Sequence, residues 1–148
     1  MFETLLRRLV RPAPEPLPEP DARLALAALL VRAARINGDY ATVQVDRIAR
    51  VLACRYGLTD AAARKLRDDA EILETEAPDT VRFTRAIKAA TDYEDRAAEL
   101  EALWEVILAD GARDHEETGF MRLVSDLLGF NDRDSALARQ RVEARLAS

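Results

Sequence analysis

At 148 residues and 49% hydrophobic, the chain can bury the core of one domain, since a domain of this size hides about 68–70% of its extended-chain surface. Its 22 basic and 27 acidic residues leave a net charge of −5, spread along the chain, which excludes the basic footprint of a nucleic-acid-binding protein. Aromatics at 5% and only 5 glycines, beside abundant Ala, Leu, Arg and Glu, indicate an all-α fold.

The first predicted element is an arm. Phe2, Leu5, Leu6 and Leu9 repeat at i, i+3, i+4, i+7, so residues 1–11 read as a short amphipathic helix edged by Arg7, Arg8 and Arg11. The stretch is too short in apolar residues, and lacks the small-residue cleavage site, for a secretion signal. No apolar run approaches the roughly 20 residues that span a bilayer. A cytoplasmic protein is expected; the arm folds back on the domain or, as the alternative, docks a partner or the inner membrane, where it would need a second anchor. Residues 12–20 form a Pro-rich linker; its prolines forbid a helix and favour a polyproline II spacer of roughly 28 Å. The helical domain is therefore expected over 21–148.

Within that domain, periodicity and punctuation predict helices at about 21–36, 42–56, 60–75, 79–90, 92–109, 115–128 and 132–146. Thr59 is a cap for the third, and Pro78 suits the first turn of the fourth. Thr91 with Glu94 has the form of a capping box, and Gly57 and Gly129 suit the left-handed position that ends a helix. An offset of about 73 places Leu30 on Leu103, Gly38 on Gly111, Ile48 on Met121 and Val51 on Val124. Gly57-Leu58-Thr59-Asp60 likewise falls on Gly129-Phe130-Asn131-Asp132. Two duplicated helix-loop-helix units about a pseudo-twofold axis are the expected frame, giving a compact bundle of about seven helices.

The strongest chemical signal lies where the fifth predicted helix meets the sixth. Asp110, Asp114 and Glu117 can converge at one turn, and Glu117 precedes Phe120, Met121 and Val124 by three, four and seven residues, on the apolar face. Three converging carboxylates repel one another, which raises one pKa or recruits a cation; oxygen donors alone favour Ca²⁺ or Mg²⁺ over zinc. Asp114 and Glu117 equally suit an N-cap and its capping-box partner, so helix capping is the plainer account of the same residues. In the first unit Asn37, Ala41 and Gln44 hold the three equivalent positions. Asn37 and Gln44 retain carbonyl oxygens able to ligate Ca²⁺, and Ala41 retains nothing. The spacing is not that of an EF-hand, which needs Asp-x-Asp-x-Asp-Gly and a glutamate at position twelve.

At these residues the chain resembles the TerB-like family, named for tellurite resistance, which includes the TerB-like domain of a membrane-anchored DnaJ-type co-chaperone. The matching text is Ala109-Asp110-Gly111 with Asp114 and Glu117, Val124-Ser125-Asp126-Leu127-Leu128-Gly129, and Leu103-Trp104-Glu105-Val106. Val81-Arg82-Phe83-Thr84-Arg85-Ala86-Ile87 is similar to its counterpart in small stand-alone bacterial members. The resemblance covers roughly residues 21–146. It implies a bundle of about seven helices, no established catalysis, and a proposed metal-binding acidic patch tied to metal or envelope stress, with Asp110, Asp114 and Glu117 as ligands. Asn37, Ala41 and Gln44 depart from the family's acids, so the paired site is weaker than the frame.

Other residues carry plainer readings. His115 is the only histidine and reads as a solvated helix-start residue. Cys54, the only cysteine, lacks a partner histidine; it excludes an internal disulfide and reads as a packed or partly exposed thiol. Trp104, with Tyr93, Ala97, Leu100 and Ile107, forms a stripe best explained by core packing. The acidic groups Asp68, Asp69, Glu71, Glu74, Glu76 and Asp92, Glu94, Asp95, Glu99, Glu101 read as solvated helix faces. No nucleophile–base pair, phosphate loop or cofactor fingerprint is present, so an enzyme is not expected. The expected function is a non-catalytic module that binds a divalent cation weakly. The alternative is an interaction module whose acids only cap helices, with an unknown protein partner, a membrane surface reached through residues 1–11, or a second copy as its target.

Overall fold

The computed structural model describes residues 22–36, 40, 42–76, 79–108 and 115–147, with the backbone alone for 115–118. These residues form seven helices: α1 (Ala22–Arg35), α2 (Thr42–Tyr56), α3 (Asp60–Glu76), α4 (Val81–Ala90), α5 (Tyr93–Leu108), α6 (His115–Leu127) and α7 (Asp132–Ala147). No strand occurs among them, as the all-α expectation requires. The arm at 1–11 and the linker at 12–20 lie outside the described residues. No described helix is long and apolar enough to cross a membrane.

Helix α1 is the axle of the bundle. Its text, Leu24-Ala25-Leu26-Ala27-Ala28-Leu29-Leu30-Val31, is apolar on every side, and a helix apolar all round must be surrounded. Each of those eight residues is fully buried, and α1 packs against α2, α3, α4, α5 and α6. Leu52, Leu73, Phe83, Ile87, Leu100 and Leu103 close over it from the neighbouring helices.

The helix ends follow local chemistry. Thr59 Oγ1 accepts the Ala62 amide at 3.1 Å, and Asn131 Oδ1 accepts that of Asp134 at 2.8 Å, so the equivalent caps of α3 and α7 both form. Before each cap a glycine turns the chain at positive φ, Gly57 at 62° and Gly129 at 95°. Past it, Leu58 donates to Ala53 O at 3.0 Å and Phe130 to Ser125 O at 2.8 Å, the six-to-one bond of a Schellman motif in both units. Two predicted ends need correction. Helix α4 starts at Val81 rather than in the turn of Pro78, which lies outside the described residues, and Asp79 Oδ1 accepts the Arg82 amide at 3.1 Å. Helix α5 is capped by Asp92, whose Oδ1 accepts the Asp95 amide at 2.9 Å, while the Thr91 hydroxyl turns back to Ile87 O at 2.6 Å.

The packing repeats between units. In each, the first helix lies on the third, α1 on α3 and α5 on α7, and the second lies on the third, α2 on α3 and α6 on α7. The two first helices pack together, α2 reaches α5 as α6 reaches α1, and α4 bridges α1 and α6. Exchanging the units preserves these first–third, second–third and second–first pairs, but among the described residues α1 also packs on α2 without an equal contact between α5 and α6, and α4 has no counterpart in the second unit.

Candidate functional site

Gln44 occupies the first turn of α2 and is fully buried, with Ile48 and Val51 buried one and two turns on. The backbone of α6 places position 117 on the face that buries Phe120, Met121 and Val124. The two duplicated positions therefore occupy equivalent faces of equivalent helices.

The direction of the helices decides where these turns lie. Arg47, early in α2, pairs with Glu105 near the end of α5 at 3.5 Å, and Arg55, late in α2, approaches Glu99 at 3.7 Å. Arg55 Nη2 also donates to Asp95 O at 3.2 Å, near the start of α5. Helices α2 and α5 thus run antiparallel, and the turn bearing Gln44 lies at the end of the bundle where α5 stops at Leu108. The described residues that flank 37–41 and 109–114 share that end.

Arginines hold the acids already there. Glu74 receives Arg32 Nε at 3.0 Å and Arg35 Nη1 at 2.7 Å. The Tyr40 hydroxyl donates to Glu71 at 2.8 Å, with the Arg35 guanidinium 5.2 Å from the ring centre. Burial first, and the Glu71 carboxylate second, hold the Tyr40 hydroxyl protonated well beyond the usual tyrosine range. Glu101 accepts Arg145 at 2.7 Å and Arg141 at 2.9 Å; burial pushes its carboxyl up, but the two arginines outweigh this and hold it low. Among the described residues no three His, Cys, Asp or Glu side chains are grouped to hold a metal. Of the five candidate ligands, Gln44 is placed in full and Glu117 by its backbone, whereas Asn37, Asp110 and Asp114 lie outside the described residues.

The reading of the acidic groups as solvated faces fails at Glu71, which accepts the Tyr40 hydroxyl, and at Glu74, Glu99 and Glu101. Glu74 and Glu101 tie helices together, as above, and Glu99 is fully buried, with neither oxygen accepting a hydrogen bond among the described residues. Burial raises the Glu99 carboxyl to about 7 against the opposing charge of Arg55, with Asp95 adding to the rise. A signal for it was present: Ala102, Leu103 and Val106 follow Glu99 by three, four and seven residues, the spacing that singles out Glu117. Tyr93 is 52% exposed rather than part of the core stripe. Trp104 is buried as expected, its Nε1 donating at 3.2 Å to Ser135 Oγ, which also accepts Ser125 Oγ at 3.0 Å. Cys54 is exposed.

Residues 23–140 match the protein family described as Tellurite resistance protein TerB. The chain belongs to the TerB family. The match starts inside α1 and ends inside α7, so it takes in every helix of the bundle and leaves out the arm. No curated protein and no solved structure gave a match. TerB proteins are generally non-enzymatic.

Proposed function

We propose that this TerB protein is a non-catalytic module that binds a divalent cation weakly and takes part in the bacterial response to metal or envelope stress. Asp110, Asp114 and Glu117 supply the carboxylates, and Asn37 and Gln44 supply neutral carbonyl oxygens. The observation that carries this reading is the antiparallel packing of α2 on α5, which brings the Gln44 turn to the end of the bundle where the acidic segment starts. Donors of this kind suit Ca²⁺, which accepts six to eight oxygens in irregular geometry, or Mg²⁺ with several retained waters. With three charges where two complete loops would offer six, affinity is low.

Calorimetric titration of Ca²⁺ and Mg²⁺ into the wild type should give a saturable heat that an Asp110→Asn/Glu117→Gln variant loses. Equal heats from the two proteins would sink the proposal and leave the acids as helix caps.

A further inference from the structure

Scattered exposed apolar side chains are ordinary on a folded surface, but a cluster around a groove marks a binding face. Three of the large exposed apolar side chains lie around one residue, Phe130, where α5 begins and α6 turns into α7: Tyr93 is 52% exposed, Leu123 49% and Leu137 41%. The Tyr93 ring stacks on Phe130 with centroids 4.9 Å apart. Between α5 and α7 runs a groove of about 220 Å³ floored by Ala97, Leu100 and Ala138. A second hollow of about 530 Å³ opens between Phe130 and Leu123.

The start of α1 lies at this end of the bundle. The Arg23 guanidinium sits 5.0 Å from the centre of the Tyr56 ring, and Arg55, next in sequence, donates to Asp95 O, two residues along α5 from Tyr93. The chain that precedes Ala22 therefore joins the bundle at the same end as Tyr93. Its Pro-rich part reaches roughly 28 Å, and an eleven-residue helix beyond it would measure about 16 Å. The charges also match. Asp92 and Glu94 are exposed on either side of Tyr93, and Asp134 lines the groove with Arg141. Asp126 and Asp132 line the second hollow with Arg122, which pairs with Asp132 at 3.8 Å. Acids therefore outnumber bases there, while the arm sets Arg7, Arg8 and Arg11 beside its apolar stripe.

We propose that residues 1–11 fold back as a short helix and seat Phe2, Leu5, Leu6 and Leu9 in the groove between α5 and α7, with the arginines over its acidic rim. A tether of this length acts as a local concentration of order millimolar, an advantage that no separate partner has. The acidic rim disfavours an anionic membrane at the same face.

The test uses the full chain with Cys54→Ser and a spin label on Thr4→Cys. Amide signals of Ala97, Leu137 and Ala138 should lose more than half their intensity, and adding Leu5→Asp/Leu9→Asp, outside the folded domain, should restore them. Unbroadened groove signals would overturn the proposal. So would broadening transferred to a separate isotope-labelled chain on mixing, which would make the occupant a second copy. Arm binding to vesicles of phosphatidylcholine and phosphatidylglycerol without groove broadening in their absence would overturn it in favour of a membrane.

Discussion

A carboxyl group taken out of water without a hydrogen bond is held in its neutral form, and Glu99 meets that condition between α5 and α2. Arg55 opposes the effect from 3.7 Å, and the Tyr56 hydroxyl, pushed up to about 12 by burial and then by the Glu99 charge, does not titrate near neutrality. The Glu99 carboxyl is raised from 4.5 to about 7 in the folded protein, so between those values the folded chain binds the extra proton. Stability that rests on neutral Glu99 is therefore full below pH 4.5 and is lost as pH rises through 7. The wild type should lose up to about 3 kcal/mol between pH 5 and pH 8 through this group. Glu99→Gln should remove that loss and be the more stable protein at pH 8. Denaturant unfolding of both at each pH checks this, the difference between them isolating position 99. Parallel pH profiles would refute a neutral Glu99.

At the scale of the helix, legibility depended on how local the deciding interaction is. The two Gly–apolar–cap–Asp endings were readable because each is completed by bonds within six residues: a glycine at positive φ, an amide reaching back into the helix, and an oxygen capping the next. The start of α4 was placed two residues early because Pro78 was given its first turn, and that of α5 one residue early because two caps, Thr91 and Asp92, stand side by side. Which one serves depends on where the chain leaves the previous element, as Thr91 shows by closing α4 while Asp92 opens α5. The same logic separates two glycines. Gly129 holds φ at 95°, where a side chain is strained, so Gly129→Ala should cost roughly 1–2 kcal/mol. Gly119 is exposed inside α6, and an added Cβ there meets no heavy atom within 4 Å, so Gly119→Ala should gain roughly 0.5–1 kcal/mol. Thermal unfolding of the two variants should move in opposite directions; shifts of the same sign would contradict this account.

For the whole molecule, the duplicated frame was visible in the spacing of glycines and apolar residues, but the arrangement of its two units was not. Nothing in the acidic segment shows that α2 runs antiparallel to α5, because that rests on pairs such as Arg47 with Glu105, 58 positions apart in sequence. The burial of Glu99 was legible in the repeat, since its position in the first unit is the core residue Leu26, but its approach to Arg55, 44 positions away, was not. The frame also sets what would follow from restoring an acid to the silent unit. Gln44 is fully buried, so Gln44→Glu places a carboxylate where water cannot reach it, and the variant should melt below the wild type in chelator. If the proposed cation is held between the units, the added charge raises its affinity, and binding to the folded state alone adds RT ln(1 + [L]/Kd) to stability. Millimolar Ca²⁺ should therefore raise the melting temperature of Gln44→Glu more than that of the wild type, and adding Asp110→Asn/Glu117→Gln should erase the increment. Equal increments in Gln44→Glu and wild type would separate Gln44 from the site and leave it as a core residue of the first unit.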